Sequence, residues 1–76
     1  MISVEYLPTV KNLMEGDMLP SLLNEIKNDI ALSIVQTPFD AKEKREELYM
    51  LTQAIDGLKV KLQEYVNEYD KIQENY

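Results

Sequence analysis

The sequence predicts an all-α fold: an antiparallel helical hairpin with a long C-terminal helix of heptad character and a short N-terminal helix, as one domain open to association in a coiled coil or bundle. Three observations predict it. First, apolar or aromatic residues fall at Leu48, Leu51, Ile55, Leu58, Leu62, Tyr65, Tyr69, Ile72 and Tyr76, in alternating steps of three and four. That spacing averages close to the helical period and lines all of them along one stripe. Second, no proline follows Pro38, and Gly57 is the only weak helix former beyond it, so one helix can run from about 40 to 75. At 1.5 Å per residue it is about 50 Å long. Third, Thr37, Pro38, Phe39 and Asp40 interrupt the pattern sharply. Pro38 disfavours helical geometry at Thr37, and a short connection makes the helices on either side antiparallel neighbours.

The remaining elements follow in chain order. Residues 1 to 7 are expected to be extended. Val10, Leu13 and Met14 have the i, i+3, i+4 spacing of a helical face, with Pro8 acceptable in a first turn and Gly16 a good terminator, which predicts a helix over 8–15. Asp17 is a candidate N-cap for a second helix over 18–36, whose stripe is Leu19, Leu22, Leu23, Ile26, Ile30 and Ile34. The run from Ile30 to Val35 is apolar except for Ser33, so this end is expected to be the more deeply buried. For the long helix, Asp40 with Glu43 forms a candidate capping box, and Thr37 with Pro38 at the first helical position is the alternative.

Folding the two helices about residue 38 predicts Ile34 near Arg45 and Leu48, Ile26 near Leu51, and Leu19 near Leu58. The second helix, about 28 Å long, then covers little more than half of the third. The overhang, Leu62, Tyr65, Val66, Tyr69, Ile72 and Tyr76, lies opposite the N-terminal segment with its Tyr6 and Val10. Two outcomes stand open: these residues close a three-helix arrangement, or they form a surface for another copy or a different protein. Together the eight are the candidate association surface. Tyrosine suits either role, since its ring buries a large area while its hydroxyl stays wet. Flanking the stripe, Glu47, Ala54, Lys61 and Glu68 on one side face Thr52, Lys59, Val66 and Gln73 on the other, and none of the four pairs supplies the opposite charges a parallel two-stranded coil would want, which disfavours that arrangement and leaves antiparallel packing open.

The chain has 76 residues, near the lower limit for a fold held by an apolar core alone, and it contains neither cysteine nor histidine. Disulfides and the commonest zinc ligands are therefore excluded, as are nucleophile–base pairs built on those side chains. Ser3, Ser21 and Ser33 sit in no catalytic motif, and Gly16 and Gly57 are too few for a phosphate-cradling loop. The run Lys42 to Glu47 and the carboxylates Glu64, Glu68 and Asp70 read as solvated helical faces. A non-enzymatic protein without cofactor or metal is expected.

Fourteen acidic residues against eight basic ones give a net charge of −6, divided evenly at −3 on each side of Gln36. That argues against direct nucleic-acid binding, which needs a basic footprint. It leaves solubilising charge or imitation of a nucleic-acid surface. No apolar run approaches a membrane span, and the opening Met1 to Glu5 lacks the basic and apolar parts of a signal peptide, so neither membrane insertion nor export by that route is expected.

Thr37 and Pro38, followed by Arg45, Glu46, Glu47, Leu48 and Tyr49 and then by Leu51, Ala54, Leu58 and Leu62, resemble a pattern in small bacteriophage accessory proteins. There an amphipathic helix leads through a Thr-Pro turn to an Arg-Glu-x-Leu-Tyr-like element and a long helix. The resemblance covers roughly residues 19 to 63, and this chain departs from it in its tyrosine-bearing tail and its N-terminal segment. It implies a phage origin, a place in the host cytoplasm or the virion, and an accessory role; it implies no site residues. The function expected is protein–protein contact in virion structure or assembly, with acidic inhibition of a host defence or nucleic-acid enzyme as the alternative.

Overall fold

In the computed structural model, which describes residues 2 to 74, a single 3-10 turn, Val4–Tyr6, leads into three helices: α1 (Leu7–Glu15), α2 (Met18–Gln36) and α3 (Lys42–Glu74). The first residues are thus partly a turn, not fully extended. The fold is all-α, with the long C-terminal helix packed on the other two.

Three side-chain contacts define how α1 and α2 run along α3. The Lys59 ammonium donates to the Asn24 side-chain oxygen, Lys27 donates to both carboxylate oxygens of Asp56 at 2.9 Å, and Lys11 donates to Asp70. As numbers rise on α3 they fall on α2 and then on α1, in one nearly constant antiparallel register. α1 therefore continues the line of α2 and covers the far end of α3, so the three-helix outcome holds for the overhang. The register differs from the expected one: Lys27, not a residue near position 20, lies level with Asp56. The cause is the connection. Arg45 donates its guanidinium to the carbonyls of Pro38 and Phe39, at 2.7 and 3.1 Å, which lays the loop alongside the first turn of α3.

The caps also differ from expectation. Neither a 40-start nor a capping box is present: α3 begins at Lys42, with the Arg45 amide donating to the Ala41 carbonyl. Thr37 ends α2, its hydroxyl donating to the Ser33 carbonyl at 2.7 Å. Asp17 does stand at the N-cap position of α2, its carbonyl accepting from the Ser21 amide, but it makes no side-chain cap bond and sits at φ 60°, ψ 0°, the left-handed conformation that turns the chain from α1 into α2.

The core is narrow. Leu7, Leu23, Ile55 and Val66 are its buried apolar residues, Leu7 being fully enclosed. The inward stripe of α2 is Pro20, Leu23, Lys27, Ile30, Ile34 and Thr37. The end from Ile30 to Val35 is not the deeper one: only Ile30 and Ile34 are half-buried, while Leu32 and Val35 are exposed, because no third helix reaches that end.

On α3 the inward stripe is Leu48, Thr52, Ile55, Lys59, Leu62, Val66 and Tyr69. This is a correction to the stripe read from the apolar residues. Leu51 and Leu58 stand outside it, each 48% exposed. Thr52 can lie inside because its hydroxyl donates to the Tyr49 carbonyl at 2.6 Å, and Lys59 because its amine reaches Asn24 while its stem lines the seam.

Candidate interaction surface

The molecule is flat. It measures 57 × 23 × 15 Å with a radius of gyration of 16.3 Å, where a compact chain of this length would have about 11 Å. Two antiparallel rods side by side have two broad faces, and these differ in chemistry.

One face carries the polar contacts: Lys27 with Asp56, Lys11 with Asp70 and Glu15, Lys59 with Asn24, and Gln63 with Asn67. Asp56, Gln63 and Asp70 recur every seven residues, so they share one flank of α3. The hydrogen bond from Lys11 to Asp70 holds its ammonium above the usual lysine range, partly opposed by desolvation.

The opposite flank of α3 carries Leu51, Leu58, Tyr65 and Ile72, also seven apart, and the α2 edge beside it carries Leu19, Ile26 and, one position further out, Leu22. Leu22 is 50% exposed and Ile26 40%, so this face presents Leu22, Ile26, Leu51 and Leu58 together as one apolar surface along the hairpin. A leucine exposed singly is ordinary; four apolar side chains in one strip, with no polar side chain bonded across them among the described residues, make this face the candidate interaction surface.

The residues expected to form the association surface divide. Val66 is buried by the chain itself and is closed to any partner; Leu62, Tyr65, Tyr69, Ile72 and Val10 are half-buried. Tyr6 is exposed, and Tyr76 lies outside the described residues. Tyr65 borders the apolar strip and lies under the Lys61 ammonium, 5.6 Å from the ring centre. The centre of the open surface is therefore nearer the middle of α3 than its end. Leu51 and Leu58 were legible as hydrophobic, but their exposure was not, since leucine at helical spacing is read as core.

A shallow open cleft of about 420 Å³ lies at the loop end, lined by Ile34, Lys42, Arg45, Glu46, Tyr49 and Met50. It brings together one guanidinium, one ammonium and one carboxylate with no hydroxyl nucleophile other than the Tyr49 phenol. Among the described residues no group of three or more acidic, histidine or cysteine side chains is placed to hold a metal ion, and no helix is long and apolar enough to cross a membrane. Compared with known proteins, the chain matches no family, no curated protein and no solved structure.

Proposed function

We propose that this chain is a small phage-encoded accessory protein that works by protein–protein contact without catalysis, in virion structure or assembly. The observation that carries the reading is the contrast between the two broad faces. Polar and charged groups are satisfied on one, while Leu22, Ile26, Leu51 and Leu58 stand open on the other. A surface of that kind favours burial against another protein. The phage setting rests on the resemblance in the Thr37 to Leu62 region.

Inhibition by imitation of nucleic acid draws less support. Such a surface needs carboxylates free to stand in for phosphates, and two acidic residues on the polar face, Asp56 and Asp70, are already paired with lysines.

The test is a Leu51→Glu, Leu58→Glu double variant. Both positions are half-exposed, so helicity is retained, and association with self or partner is lost. If the wild type shows no association that the variant lacks, in solution, in particles purified from infected cells or in capture from host extract, the contact reading fails.

A further inference from the structure

Along the outward flank of α3, Glu47, Leu51, Ala54, Leu58 and Lys61 form a second seam, again in steps of four, three, four and three, and all five are exposed. Read in either direction it runs charge, leucine, alanine, leucine, charge, with the charge inverted at its ends. Laid antiparallel on a copy of itself about Ala54, it sets leucine on leucine, alanine on alanine, and Glu47 opposite Lys61 at both ends. A parallel copy would instead oppose Glu47 with Glu47 and Lys61 with Lys61. Small residues at the centre let two helices approach closely, and isologous contacts require this kind of self-complementarity.

The exposed area agrees with a second copy. The chain exposes 5867 Å², whereas a compact monomer of 8.9 kDa exposes about 4,800 Å². The excess, about 1,000 Å², is close to the roughly 800 Å² that each partner contributes to a standard interface.

We infer that the occupant of the open face is a second copy of this chain, packed antiparallel with its two-fold axis crossing α3 at Ala54, so that Leu51 meets Leu58 and Glu47 meets Lys61 across the interface. This rests on the contact reading and names its partner. Lys61 has two intrachain neighbours, Glu64 at 3.3 Å and the Tyr65 ring at 5.6 Å; both are exposed contacts of the ammonium that contribute little, so it can turn across the interface.

The test is a charge-swap cycle on the full chain, read by light scattering and sedimentation equilibrium, with circular dichroism confirming that each variant keeps its helices. Glu47→Lys and Lys61→Glu each place like charges together twice and should raise the dimer dissociation constant about tenfold. The double swap should restore it. In a separate arm, Ala54→Cys should form an intermolecular disulfide on mild oxidation, in a chain with no other cysteine, and Gln63→Cys on the polar face should not. A dimer indifferent to the swaps, or cross-linked from Gln63→Cys and not from Ala54→Cys, overturns this geometry. A wild type that stays monomeric over a hundredfold range of concentration overturns the second copy altogether. The contact reading is judged separately, by whether Leu51→Glu, Leu58→Glu abolishes capture of a different protein.

Discussion

Leu7 and Leu51 are both leucines on helices, and the structure assigns them opposite roles that truncation to alanine can separate. Leu7 is 0% exposed, and at the start of α1 it ties that helix to the rest of the fold. Removing three carbons forfeits about 2.4 kcal/mol of transfer free energy at about 0.8 per carbon, and the cavity left behind brings the cost to about 3 kcal/mol. Leu51 is 48% exposed, so it forfeits about half the transfer term and leaves no cavity, about 1 kcal/mol. With an unfolding entropy of about 2.1 cal/mol/K per residue, these become melting-point losses of about 15 to 20 °C for Leu7→Ala and about 6 °C for Leu51→Ala. Thermal melts at low protein concentration, followed by circular dichroism, measure both. At higher concentration the Leu51→Ala penalty should grow, because the proposed association would stabilise the wild type by mass action, whereas the Leu7→Ala penalty should stay largely intrachain. Equal losses for the two variants in dilute solution would refute the outward placement of Leu51 and return the leucine row to the core.

Three further outcomes follow from local geometry. Asp17 holds a left-handed backbone without making a cap bond, so Asp17→Gly should raise stability by about 0.5 kcal/mol in urea denaturation, where Asp17→Ala should lower it. Gly57 sits in the middle of α3 with open space where a Cβ would be, so Gly57→Ala should add up to about 1 kcal/mol by the same assay. Lys11 is held above the ordinary 10.5 by its bond to Asp70, so the contribution of this pair is present in full below that value and is lost as pH rises through the higher folded-state value. The melting-point gap between wild type and Lys11→Met should accordingly be constant from pH 7 to 9 and narrow as pH rises past 10.5.

Element order, helix class and the position of the hairpin turn were legible because they depend on punctuation: Gly16 with Asp17, and Thr37 with Pro38, interrupt helical spacing wherever the chain is placed. The rotation of α3 was not. Two stripes on that helix have equally good spacing, one through Leu51 and Leu58 and one through Thr52 and Lys59, and hydrophobicity selects the first. The second is the one turned inward within the chain. Thr52 satisfies its own hydroxyl on the preceding turn and Lys59 extends its amine to Asn24, so neither leaves a buried polar atom unpaired. The register was missed for a related reason, since the lie of the loop on α3 involves contacts that helical spacing does not carry: Arg45 reaching back to the Pro38 and Phe39 carbonyls and the Ala41 amide donating to the Pro38 carbonyl. The open face then follows from the rotation: of the residues that spacing assigns to the core, Leu51 and Leu58 stand outside, while Leu48, Ile55, Leu62 and Tyr69 remain on the inward side.

The most direct test of the account is the mass in solution of the wild type and of Leu51→Glu, Leu58→Glu, by light scattering over a hundredfold range of concentration. The account predicts a wild type that moves toward twice the monomer mass as concentration rises, and a variant that remains a helical monomer throughout. A wild type and variant that associate equally would contradict it, because the leucine face would then have no part in what holds the copies together.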